Sequence, residues 1–155
     1  MIGRRQGFTI IELMTVMIVI GLLAGMALLK YIDLRHRARA IQVAADLETV
    51  RLAAYNAWYE HNTWPNEAGP GQVPAELVPY LPGSLSFANS EYTLDWENFA
   101  PPGGGPSGGM QIGMVITGST LRMQTALEQI LGNKTAFVSS GGTLTFIIVG
   151  PDGKS

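Results

Sequence analysis

The chain has 155 residues, no cysteine and a formal net charge of −2, with 46% hydrophobic but only 14% charged residues. The length fits one ordinary domain, and the charged share is far below the roughly 25% of soluble domains, so part of the chain is built to avoid water. The composition excludes a disordered chain, a disulfide framework and thiol chemistry, and 10 Lys+Arg against 12 Asp+Glu give no overall basic field for nucleic acid.

Residues 8–29, FTIIELMTVMIVIGLLAGMALL, contain a single ionisable group, Glu12. As a helix this stretch is about 33 Å long, enough to cross a hydrocarbon core of about 30 Å once. Ahead of it, Met1-Ile2-Gly3-Arg4-Arg5-Gln6-Gly7 is a short basic leader of the kind that holds an N-terminus in the cytoplasm. An ordinary secretory signal is cut after its apolar segment at a small-x-small site. Here the small residue, Gly7, precedes the apolar run, so cutting there leaves the whole helix on the mature chain.

An unpaired carboxylate inside such a segment costs roughly 2.5–3.5 kcal/mol on insertion scales, so Glu12 calls for a partner. No Lys or Arg lies within reach on this helix. Cleavage after Gly7 would give Phe8 a free amine, and Glu12 of one copy could pair with the Phe8 amine of another. Gly21 and Gly25 form a G-x-x-x-G step that lets helix backbones approach closely.

Gly7-Phe8-Thr9-Ile10-Ile11-Glu12-Leu13 resembles the class III leader junction of type IV pilins and of type II secretion pseudopilins. The motif with the helix behind it covers roughly the first 60 residues. The resemblance implies a membrane-embedded prepilin peptidase that cuts after Gly7 and N-methylates Phe8, and an assembly role for Glu12. It also implies the pilin-like α+β fold, a long N-terminal helix packed against a small antiparallel sheet. Many members carry proline where this chain has Leu29, so the helix here is expected to be straighter or to soften at Gly21 and Gly25. Lys30, Arg35, Arg37 and Arg39 would lie on the exported side, against the positive-inside rule, which puts orientation on the leader and the export machinery.

Residues 30–61 contain no Pro or Gly and are rich in Ala, Leu, Glu and Arg, so one helix is expected over 8–61. At 100° per residue, Val43, Leu47, Val50, Ala54, Trp58 and His61 form one stripe. Leu34, Ile41, Ala45, Leu52 and Tyr59 fall on the opposite side, with Gln42, Asp46, Thr49, Asn56 and Glu60 on a polar flank. Two opposed apolar faces need two coverings: the chain's own sheet domain for one, and helices of neighbouring copies for the other.

Asn62-Thr63-Trp64-Pro65 ends the helix and opens a Pro- and Gly-rich connection over 62–84, in which Pro74-Ala75-Glu76-Leu77-Val78 could make a helical turn with Pro74 first. Residues 91–99 alternate, with Tyr92, Leu94 and Trp96 on one side and Thr93, Asp95 and Glu97 on the other, which predicts a half-buried strand. Residues 100–109, APPGGGPSGG, predict a flexible loop and lack the Lys-Ser/Thr of a phosphate-binding loop. A second strand is expected over 110–117, then a helix capped by Ser119 or Thr120 and ending at Leu131 with Gly132 behind it. Residues 134–139 and 143–149, joined by Ser140-Gly141-Gly142, predict a hairpin. The expected organisation is thus leader 1–7, membrane and assembly segment 8–29, outer helix 30–61 and sheet domain 62–155.

Catalytic groups, cofactor sites and metal sites are not apparent. His36 and His61 have no third partner and read as structural, while Asp95, Glu97 and Asn98, considered for calcium, read as a solvated strand face. Asp152-Gly153 reads as a turn. The basic cluster Lys30, Arg35, His36, Arg37 and Arg39 suits lipid and neighbour contacts better than nucleic acid, since no aromatics interleave to stack bases. The resemblance implies a non-enzymatic subunit: a single-pass inner-membrane precursor in contact with lipid, the peptidase and an assembly platform. It is then polymerised as a homo-oligomer into an extracellular or periplasmic filament. Pilus and secretion pseudopilus both remain open, as does the different alternative of a membrane-anchored binding or enzymatic domain.

Overall fold

A computed structural model describes residues 7–98, 112–118, 120–132 and 135–150. The first helix, α1, comprises Ile10–His61 and contributes to two compact units, Met1–Arg35 and His36–Ser155. It begins two residues later than expected because Thr9 caps it: the Leu13 N–H donates to the Thr9 carbonyl at 3.2 Å, the first turn of the ladder.

In Met1–Arg35 the described residues are helical from Ile10 onward and nearly all exposed. The most apolar 18-residue window of α1 has a mean hydropathy of 2.3, and none of it is buried. Backbone hydrogen bonding is therefore satisfied within the segment, while its apolar side chains stand exposed among the described residues.

His36–Ser155 has a core. Its sheet is antiparallel with order β1-β2-β4-β3, where β1 is Thr93–Asn98, β2 is Ile112–Thr117, β3 is Phe137–Ser140 and β4 is Thr143–Val149. Leu94 faces Ile116 and Trp96 faces Met114 across β1 and β2; Phe146 faces Met114 across β4 and β2. These buried residues share one cluster with Val43, Leu47 and Val50 of α1 and with Met123 and Leu127 of α2, Leu121–Leu131. Ala40, Ala53, Ala54 and Ala57 complete the buried face of α1; their small side chains let the helix backbone lie close to the residues it covers. The α+β architecture is the one the sequence pattern predicts.

Trp58 and His61 depart from the expected stripe, since both are exposed. The buried face ends at Ala57 because the helix is about to stop: Asn62 takes a positive φ of 54° and its N–H closes on the Trp58 carbonyl at 2.7 Å, a left-handed helix end that Asn tolerates. The reversal returns Trp64 onto the helix, where it stacks on Trp58 at 5.8 Å and meets Tyr55 edge-on at 5.4 Å. The connection is then pinned to the sheet, with the Trp96 indole N–H and the Asn98 amide both donating to the Pro65 carbonyl, at 3.0 and 2.7 Å.

Other boundaries shift slightly. The helical turn expected from Pro74 forms later, as a single 3-10 turn Val78–Tyr80, because Pro74 through Leu77 close a separate turn by the Leu77 N–H to Pro74 carbonyl bond. Thr120 caps α2 by accepting from the Met123 N–H at 3.4 Å, and Gly132 ends it with φ 48°. The β3–β4 turn uses Gly141 and Gly142 with φ 55° and 94°, both in the left-handed region that a two-residue hairpin turn requires. The leader residues 1–6, the start of the second strand at 110–111, Ser119, Lys134, the 100–109 loop and Asp152-Gly153 lie outside the described residues.

Candidate assembly site at the N-terminal helix

Gly7 and Phe8 precede α1 in non-helical conformation, and the Phe8 side chain is 88% exposed. Thr9 occupies the N-cap and Glu12 the third helical position. The Glu12 carboxylate accepts from both the Thr9 backbone N–H and the Thr9 hydroxyl, each at 2.9 Å. The Thr9 hydroxyl oxygen in turn accepts from the Glu12 N–H at 3.4 Å. This is a capping box, in which a Thr and a Glu three residues apart satisfy each other's backbone donors.

The box changes the reading of Glu12. Looking only for a Lys or Arg leaves the acid without an intrachain partner, yet Thr9 supplies two donors. The Thr-x-x-Glu spacing ahead of an apolar run carries this signal in the sequence. Both Thr9 bonds end on Oε2, so the carboxylate is held against the helix start in a fixed orientation.

Farther along, the Thr15 hydroxyl donates to the Ile11 carbonyl at 2.8 Å, which removes its cost in an apolar medium. A Cβ placed on Gly21 or Gly25 would meet nothing within 4 Å, so these positions have room for a neighbouring surface. Ile10, Ile11, Ile18 and Leu22 are likewise exposed.

The remaining sequence candidates fall in His36–Ser155 or along α1 and do not converge. His36 places Nδ1 3.5 Å from the Thr120 hydroxyl, and His61 is exposed at the helix end. Arg39 pairs with Glu91 at 3.2 Å and donates to Gln42 at 3.1 Å, whereas Arg37 is exposed. Asn98 is engaged by Pro65. Asp95 and Glu97 are half-buried and not a fully solvated face: burial first, then the Glu67 charge, raises both carboxyls above their ordinary range. Among the described residues no group of three or more His, Asp or Glu side chains is arranged to hold a metal ion. The Tyr92 hydroxyl donates to Asp46 at 3.1 Å, and its phenol is pushed up to about 12, by burial first and then by the Asp46 charge.

The family described as the prokaryotic N-terminal methylation motif matches residues 2–28, the stretch that holds the capping box and the apolar helix start. A type IV major pilin protein, PilE1 of Neisseria gonorrhoeae, is 32% identical over 96 residues, covering 61% of this chain and 45% of that relative. The chain is similar to type IV pilins. A type IV major pilin protein PilE of the same species is 35% identical over 63 residues, 41% of this chain and 38% of the relative. A fimbrial protein of Neisseria meningitidis serogroup A is 36% identical over 62 residues, 40% of this chain and 36% of the relative. The chain spans less than half the length of the curated relatives it matches. No solved structure matches it.

Proposed function

We propose that the chain is a structural subunit of a type IV pilus-like filament, made as a membrane-anchored precursor, cut after Gly7 by a prepilin peptidase and methylated on Phe8. The observation that carries this is the pairing of the leader junction at Gly7-Phe8 with an α1 segment whose apolar residues are exposed throughout its most apolar window. A helix with no covering of its own rests first in lipid and then among the helices of other copies.

In this reading cleavage converts the Phe8 nitrogen into a cationic amine close to Glu12. Thr9 keeps the carboxylate oriented through Oε2, and the other oxygen, Oε1, is offered to the Phe8 amine of a neighbouring copy. Because the carboxylate lies in an apolar segment, pairing it with the amine relieves the cost of an unpaired charge there. Gly21 and Gly25 let neighbouring helices approach. The relatives that match are major pilins, which favours the pilus over the secretion pseudopilus. Partners of the precursor are the peptidase, lipid and an inner-membrane assembly platform.

Mass spectrometry of the N-terminus, from membranes or sheared filaments, tests the processing. The expected chain starts at Phe8 and is one methyl group heavier than its sequence; an intact leader in a host with the peptidase rejects the reading. Glu12→Ala should leave membrane insertion intact while filaments fail to form. Normal filaments from that variant would assign the carboxylate another role.

A further inference from the structure

The C-terminal end of α1 carries an aromatic group that packing does not use up. Trp58 lays one ring face on Trp64, with centroids 5.8 Å apart and planes 25° apart, yet 38% of Trp58 remains exposed. Tyr55 meets Trp64 edge-on and its hydroxyl donates to the Ile148 carbonyl at 3.4 Å, so the stack is anchored to the sheet. The next residue, Pro65, is buried, and its carbonyl accepts from Trp96 and Asn98. The face of Trp58 turned away from Trp64 is thus open, and its position is set before any ligand arrives.

The same connection brings negative charge to that stack. The Asn66 amide donates to the Glu76 carboxylate at 2.6 Å, and the Glu67 charge acts on Asp95 and Glu97. Residues 64–67 therefore join an aromatic stack to a group of carboxylates. The donors that hold the acids here are neutral: Glu76 takes an amide and Glu60, in the last turn of α1, takes the Tyr80 hydroxyl. Residues 52–121 contain no Lys or Arg. Among the described residues, the positive charge that acts on Glu76 is that of His61, one turn beyond Trp58.

That combination selects a cation of a particular kind. An indole face attracts a cation through its negative quadrupole, and more strongly than Tyr or Phe does. A small inorganic cation seeks carboxylate oxygens directly and gains little from the ring. An alkylated ammonium spreads its charge over methyl groups that pack on the indole, while carboxylates already engaged by their own donors attract it at longer range. A phosphate on the same molecule would be disfavoured, since residues 52–121 supply no Lys or Arg to meet it.

We propose that the open face of Trp58, backed by Trp64 and lying in the field of Glu76 and Glu67, binds the quaternary ammonium group of a small, net-cationic solute of the choline type. The site lies wholly within His36–Ser155 and does not depend on filament formation. Choline titrated into the full-length chain in nonionic detergent tests it, with sodium chloride at matched ionic strength as the blank and the indole N–H signals of Trp58, Trp64 and Trp96 as the readout. The first two should shift saturably in the millimolar range, while Trp96, fully buried, holds its place. Trp58→Leu should weaken binding about tenfold, and both Glu76→Gln and the replacement of choline by phosphocholine should weaken it about threefold. An unmoved Trp96 signal shows that each variant is folded. The absence of a saturable shift, full binding by Trp58→Leu, or an equal response to cellobiose, which would mark the ring as a sugar-stacking face, overturns the proposal. Where Trp58→Leu does not fold, the other two comparisons decide, and affinities unchanged in both overturn the site.

Discussion

Met1–Arg35 and His36–Ser155 share one helix but are stabilised in different ways. In the second unit α1 is held by tertiary contact: Val43, Leu47 and Val50 are buried in the same cluster as Leu94, Trp96 and Phe146. In the first, order comes from the backbone ladder, the Thr9–Glu12 box and helix propensity alone, and apolar side chains stand exposed. Most helical stability in proteins comes from packing one face; a segment without that contribution is ordered by lipid or by other copies. On the proposed filament reading, the difference separates folding from assembly along a single helix.

Substitutions that act on only one unit break that comparison most directly. Trp96→Ala should have the largest effect, because the indole is fully buried and its N–H ties Pro65 to the sheet. The loss is about 3–5 kcal/mol, a large share of the 5–15 kcal/mol that a domain has in total. Thermal unfolding of the chain in detergent, followed by near-UV circular dichroism, should show it. Ile18→Ala, at a side chain 62% exposed, should leave the same transition within about 0.5 kcal/mol. Equal losses from both would mean that the first unit also draws on the core.

How far the sequence carries this contrast depends on the length scale of the signal. The period-2 pattern from Tyr92 to Trp96, the Thr120 cap and the Gly141-Gly142 turn are local, and each element forms within a few residues of where they place it. The opposed stripes on α1 were also legible, since Leu34, Ile41, Leu52 and Tyr59 are exposed while Val43, Leu47 and Val50 are buried. Trp58 was not: the buried face of α1 ends at Ala57, one turn ahead of the Asn62 reversal, which helical periodicity does not contain. The capping box at Glu12 is legible in the Thr9-x-x-Glu12 spacing, a signal independent of any cationic partner. The raised carboxyls of Asp95 and Glu97 depend on burial and on the Glu67 charge, which alternation along one strand does not reveal.

Glycines sharpen the comparison at intermediate magnitude. Gly142 has φ 94°, and an alanine forced into the left-handed region costs about 1–2 kcal/mol, read as a lower unfolding temperature of His36–Ser155. Gly21 is helical with open space around its Cβ position. Gly21→Ala should therefore raise helix stability by about 0.5–1 kcal/mol in detergent while lowering filament yield, because the added methyl fills the room offered to a neighbour. A variant that improves both would remove Gly21 from the assembly face.

Thr9→Val comes next. It removes the hydroxyl that accepts from the Glu12 N–H and donates to the Glu12 carboxylate, leaving the Thr9 N–H bond to Glu12, and should cost the helix start about 1 kcal/mol. Amide hydrogen exchange in micelles should quicken at Glu12 and its neighbours and leave Val50 and Leu94 unchanged. Faster exchange at Leu94 would show that the two units are not independently stabilised.

The smallest effect is on pH dependence. Asp95 and Glu97 have carboxyls raised in the folded chain, so the folded state binds their protons more readily than the unfolded state does. Their contribution to stability is thus greatest in acid and declines as pH rises from the ordinary carboxylate range through their raised folded values. Glu76 is shifted the other way, chiefly by its own backbone bond, with the Asn66 amide also favouring its charged form; its contribution is lost as pH falls. Asp95→Asn separates the two. It removes one member of the Glu67, Asp95 and Glu97 group and relieves Glu97 of a like charge, so denaturant midpoints should fall less between about pH 4 and 7 than in the unaltered chain. Such a change belongs to the second unit alone: in Met1–Arg35 the only described acids are Glu12 and Asp33, so exchange at the helix start should be the same in Asp95→Asn as in the unaltered chain at every pH.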